Sequence, residues 1–187
     1  MLTSSHITRD EAGDVVVVES ARFTESYDLL RFEVTNQQAG YSGSVTVTDG
    51  RHLDFLLNEG GRITTATERV TDPVVTGPSL HGFILQHWEH LSAGHRLPVR
   101  MIVMAKMETY GFKIRQVEAV AGRTAFAITP TSLLVRVAVN PLRVEFDASS
   151  RHVVRYQGRV PPMQRVAGTF KPLDADVQYT MRAATYR

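Results

Sequence analysis

The sequence predicts an α+β fold: a strongly curved antiparallel sheet, a half-open β-barrel, wrapped around one main helix at about 79–93. Residues 131–139 are readable either as a short second helix or as a strand. Three observations carry this reading. Hairpin-connected segments with period-two alternation fill the first third of the chain, the period lengthens to that of a helix after Pro78, and β-prone segments return beyond Pro98. Strands grouped on both sides of one helix are an α+β pattern rather than the regular alternation of βαβ units.

Taken in order, residues 1–13 read as a polar N-terminal arm, followed by a single β-rich domain over 14–187. Val15 to Val18 is an apolar, β-branched run suited to a buried strand. In Phe23 to Val34, residues Leu30, Phe32 and Val34 alternate with Arg31, Glu33 and Thr35, the mark of a half-buried strand, with a bend near Asp28. Ser44 to Thr48 and Leu53 to Leu57 flank Asp49-Gly50, a hairpin signal, and Glu59-Gly60-Gly61 turns the chain into Ile63 to Val70. From Ser79, the residues Leu80, Phe83, Ile84, His87 and Leu91 fall on one helical stripe, with Pro78 at the entry and Gly94 at the exit. Val99 to Val120 reads as a long β-prone stretch interrupted at Gly111. Thr124 to Ile128 is a further strand, Val144 to Phe146 and Val153 to Tyr156 resemble a hairpin, Pro161-Pro162 opens a loop, and Val177 to Thr185 alternates as a closing strand.

Composition removes several function classes. The 187 residues include no cysteine, which excludes disulfides, thiolate metal sites and a cysteine nucleophile in this chain. The bases are 21 against 19 acids, a formal excess of +2, and they are scattered rather than gathered into a run, so no nucleic-acid partner is expected. No segment reaches the ~18 consecutive apolar residues of a spanning helix. Residues 1–13 carry Arg9, Asp10 and Glu11 without an apolar core, unlike a secretory leader. The expected location is therefore cytoplasmic for the chain as written, or periplasmic if a leader was removed. Oligomeric state is left open.

Four of the seven histidines, His81, His87, His90 and His95, lie near Trp88 and Glu89, yet none pair at the i, i+4 spacing that aims two imidazoles at one ion. No metal and no cofactor are expected. There is no nucleophile elbow, phosphate loop or dinucleotide fingerprint, so an acid–base role for His87 rests on its titration near neutrality alone. Met101, Met104 and Met107 share one β-prone stretch with Tyr110 and Phe112, and unbranched thioethers suit a wall that adapts to a flexible apolar ligand. The expected ligand-binding residues are Phe83, His87 and Trp88 from the helix and Met104, Tyr110 and Phe112 from the sheet. Arg100 or Lys106 would be the polar anchor for a headgroup.

The text Gly77-Pro78-Ser79-Leu80, Phe83-Ile84, His87-Trp88, Leu91, Gly94 and Arg100, continuing to Thr109, Phe112 and Ile114, resembles a group of uncharacterised bacterial proteins. Leu133 to Asp147 and Arg155-Tyr156-Gln157-Gly158 fit the same likeness. That group resembles the periplasmic lipoprotein-carrier fold, an incomplete antiparallel barrel around helices whose hollow holds acyl chains. The resemblance implies a helix rather than a strand near 132–139 and transfers no catalytic residue. The expected function is non-catalytic binding or carriage of an apolar, acyl or lipid-like ligand between sheet and helix. The alternatives are a small-molecule enzyme using the same pocket with a histidine acid or base, and a structural or interaction subunit.

Overall fold

A computed structural model describes residues 1–181 and shows a mostly β architecture of two sheets with three short helices. The first sheet is a meander of six antiparallel strands in chain order: β1 (Leu2–Arg9), β2 (Val15–Phe23), β3 (Leu29–Asn36), β4 (Tyr41–Thr48), β5 (His52–Glu59) and β6 (Arg62–Arg69). Next come β7 (Val74–Val75), α1 (Gly77–Gln86), α2 (Trp88–Ser92) and β8 (Leu97–Val103). They are followed by β9 (Glu108–Val117), β10 (Arg123–Pro130), α3 (Leu133–Ala138), β11 (Leu142–Asp147), β12 (Val153–Val166) and β13 (Thr169–Gln178). The second sheet runs β13-β12-β11-β10-β9-β8-β7 and is antiparallel except for the short β7–β8 pair.

Alternation explains the strands. Along β2 and β3 every second residue is buried, with Val17, Glu19, Ala21 and Phe23 facing inward beside Phe32, Val34 and Asn36. The turns at Asp49-Gly50 and Gly60-Gly61 adopt positive φ at all four residues, as hairpin turns require. Two apolar clusters result. One lies on the inner face of the first sheet and includes Val45, Leu53, Phe55, Val74 and Met104. The other lies between the second sheet and the helices and includes Phe83, Ile84, Trp88, Phe112, Phe126 and Phe146.

Helix α1 stands between the two. Leu80, Phe83 and Ile84 enter the second cluster, while Gly77 and Gly82 face the β1–β2 side of the first sheet. Tyr27, in the β2–β3 turn at φ 62°, stacks on Phe23 at 5.0 Å and packs on both clusters. A methyl at Gly82 would sit 1.9 Å from the Tyr27 ring, so only glycine admits this contact. Polar ties join the sheets elsewhere. Glu68 of β6 accepts hydrogen bonds from Arg100 Nη2 (3.0 Å), Thr109 Oγ1 (2.8 Å) and the Thr109 amide (2.7 Å). Asn36 donates to the Pro161 carbonyl at 3.2 Å, and Gln38 accepts from the Met163 amide at 2.8 Å.

Several expectations need correction. In place of one sheet the described residues form two. Residues Leu2–Arg9, read as a polar arm, form β1, because its polar residues Ser4, His6 and Thr8 turn partly inward against β2. The helix over 79–93 is broken at His87 into α1 and α2. The stretch from Val99 to Val120 is likewise split, by a 3-10 turn at Met104–Lys106 and Met107 at φ 52°. Pro161-Pro162 lies inside β12 as a register shift between Val160 and Met163 rather than as a loop. The closing strand ends at Gln178, and the expectation for residues 182–185 falls outside the described residues. Of the two readings left open for 131–139, the helix is the one present, as α3.

Gly82→Ala is expected to lower stability by about 2 kcal/mol, because overpacking against Tyr27 outweighs the higher helix propensity of alanine. In a Tyr27→Ala background the same change becomes neutral or stabilising. Urea titrations of the four proteins read the reversal of sign, and a cost for Gly82→Ala that persists without the Tyr27 ring would show that this contact is not its cause.

Candidate functional site

The residues expected to form one pocket wall are divided between the two clusters. Phe83, Trp88 and Phe112 are buried in the second. Trp88 packs edge-on against Phe126 and Phe146 at 5.2 and 5.4 Å, under the Arg151 guanidinium at 5.0 Å. Met104 points the other way, into the first cluster, where its Sδ lies 2.9 Å from the place a Cβ on Gly43 would take. The 3-10 turn and the left-handed Met107 shift the alternation between β8 and β9, so that Met104 keeps the side of Ile102 while Tyr110 and Phe112 face the second cluster, which strict alternation through the whole stretch did not foresee. Tyr110 is half-buried against the second cluster and Lys106 is exposed. Arg100, expected to anchor a ligand carboxylate, binds the protein's own Glu68.

The histidines also separate. His90 and His95 are exposed and stack on each other at 4.6 Å, and His87 sits at the α1–α2 break with its ring 4.5 Å from Phe83. Burial lowers the His87 pKa, with His90 adding to the effect and Asp28 opposing it. His81 turns from α1 toward Phe146 and Tyr179, with ring distances of 6.3 and 5.2 Å. Among the described residues no group of three histidine or acidic side chains could hold a metal ion.

A different set of titratable groups converges where α1 meets the first sheet. Glu19 on β2 is 8% exposed although its neighbours on that face are Val17 and Ala21. Its register partner on β1 is His6, whose Nδ1 lies 3.9 Å from Glu19 Oε2. Gly77, the first residue of α1, leaves the carboxylate room: a Cβ there would lie 3.6 Å from Oε2. No described residue donates a hydrogen bond to Glu19. Burial raises its pKa from 4.5 to about 7, lowers that of His6, and lowers that of His81 to about 4, with His6 adding to the last. Desolvation thus disfavours the charged form of both members of the His6–Glu19 pair despite their 3.9 Å separation. Burial also raises Tyr41 and Tyr156, and each is raised further by the Glu19 charge, while the Tyr156 hydroxyl donates to the Arg159 carbonyl at 2.6 Å.

Sequence reasoning missed this cluster. The available signal was the alternation Val15, Val17, Glu19, Ala21, Phe23, which places one carboxyl on an otherwise apolar face. Nothing local paired it with His6, or brought His81 and the tyrosines near it.

Two surface depressions are lined by residues outside this cluster. One of about 350 Å³ is lined by Arg123, Val154, Arg155, Gln178, Tyr179 and Thr180, and one of about 280 Å³ lies on the first sheet beside Val18, Glu33, Gly43 and Leu56. In the first, Arg123 is paired with Glu145 and Arg155 with Asp176. No protein-family model, curated protein or solved structure matches the chain.

The pKa directions set opposite pH dependences. An acid raised in the folded state destabilises it progressively as pH climbs from 4.5 through about 7. That interval corresponds to about 3 kcal/mol. Glu19→Gln should therefore melt higher than wild type at pH 8, with the gain fading below pH ~5. His81, lowered from 6.5 to about 4, acts in reverse: its contribution is complete above 6.5 and is lost as pH falls toward 4. Melting curves of Glu19→Gln and His81→Phe across this range test both, and a Glu19→Gln gain independent of pH would dissociate it from ionisation.

Proposed function

We propose that the chain is a non-catalytic binding domain for an apolar, acyl or lipid-like ligand, taken up where α1 meets the inner face of the first sheet. The observation that carries this reading is Glu19, a carboxyl 8% exposed on a strand face otherwise lined by Val17 and Ala21, with no described hydrogen-bond donor and only His6 near it, at 3.9 Å. Carboxyls whose pKa burial raises this far are concentrated at functional sites. Glu19 would meet the polar end of the ligand. The apolar remainder would take the space now filled by Met104 over Gly43 and Tyr27 over Gly82. A thioether on an unbranched chain can swing aside, and Tyr27 belongs to a turn rather than a strand. Phe83, Trp88, Tyr110 and Phe112 would line the far side of the helix. The likeness to the lipoprotein-carrier fold belongs to the same proposal.

A second reading, a small-molecule enzyme with a histidine acid or base, draws on the near-neutral pKa of Glu19 beside His6 and His81. It relocates the chemistry from His87, whose ring has no described hydrogen bond.

Solvent extraction and native mass spectrometry of the purified chain should reveal a copurifying acyl species. Parinaric acid should quench the lone tryptophan, Trp88, on binding. Met104→Ala is expected to cost about 3 kcal/mol through the cavity it leaves, and a saturating acyl probe should restore part of that loss. An empty extract together with unquenched Trp88 fluorescence would end the ligand-binding reading.

A further inference from the structure

We infer that α3 is a docking element for a bilayer surface carrying anionic headgroups. Five of the six residues of α3 are apolar, Arg136 being the exception. Val135 and Val139 pack against the second cluster, whereas Leu133, Leu134 and Val137 are 75, 85 and 91% exposed. Apolar side chains on both faces mark a helix that is covered on both, and here one face of three aliphatic residues meets water.

Two features favour a membrane over a protein as the cover. The three side chains offer on the order of 400 Å², about half of the ~800 Å² per partner that a stable protein interface buries. The charge around them is also one-sided. Arg136 and Lys113 have no acidic partner among the described residues, whereas Arg123 and Arg143 are both paired with Glu145. Arg136 lies on α3 and its Nε donates to the Pro130 carbonyl at 2.8 Å, which holds the guanidinium at the root of the helix. Lys113, exposed and in register with Thr129, stands at the same end of the sheet. Asp174, which Asn140 reaches at 2.9 Å, is itself held by Arg159. Aliphatic insertion combined with nearby cations is the chemistry of interfacial binding to anionic lipid. The helical backbone satisfies much of its own hydrogen bonding when it enters the interface.

Cosedimentation of the full chain with vesicles tests the inference. Wild type should pellet with mixed phosphatidylglycerol–phosphatidylcholine vesicles and less with phosphatidylcholine alone, and added salt should weaken the binding. Leu134→Asp should lose about tenfold or more in vesicle affinity at an unchanged melting temperature. If that variant does not fold, the double change Leu133→Ser, Val137→Ser decides in its place. Wild type remaining in the supernatant, equal pelleting on both vesicle types, or variants that pellet like wild type would each overturn the inference. A dimer dissociated by these substitutions, without vesicle binding, would overturn it in favour of a second copy of this chain. These readouts are independent of ligand extraction, so either proposal can fail alone.

Discussion

The seating of α1 between two sheets is the constraint on which the rest of the structure depends. Its apolar stripe enters the second sheet through Leu80, Phe83 and Ile84, and its glycines turn toward the first. At Gly82 the Tyr27 ring occupies the space of a missing side chain, and Gly77 faces the Glu19 carboxylate at ordinary contact distance. Close approach on one side and ordinary apolar packing on the other let one short helix serve two clusters. Without it, each sheet would have an uncovered face at the seam.

Polar groups then set how the sheets meet. Glu68, Arg100 and Thr109 satisfy one another in a compact network between β6 and the β8–β9 pair, so charge inside the structure is paired and hydrogen-bonded there. Glu19 is treated differently. It faces His6 across a gap too long for a hydrogen bond, on a strand face otherwise lined by Val17 and Ala21. The contrast between a fully satisfied carboxylate and a barely satisfied one, on the same sheet, separates architecture from candidate function.

The legibility of the site followed the range of the interactions. Helix and strand faces were readable residue by residue, and Phe83, Trp88 and Phe112, read as wall residues, are buried in one cluster. Met104 was read onto the wall with Phe112, yet the turn and the left-handed Met107 invert the phase of β9 and leave the two residues in opposite clusters. A positive φ at a residue that rarely adopts one leaves no trace in periodicity. Arg100 was read as a free cation because its partner Glu68 lies 32 residues away, on another sheet.

From the sequence by itself came the β-rich class, the hairpins at Asp49-Gly50 and Gly60-Gly61, the apolar helical stripe after Pro78 and the absence of thiolate chemistry. All of these depend on neighbours in the chain: turn residues, alternation and composition. The tertiary structure alone decided that the strands form two sheets, that the first residues make an edge strand, and that Glu19, His6 and His81 share one apolar seam. Those outcomes depend on which surfaces exclude water together, and burial shifts a titration only after distant segments have closed around it.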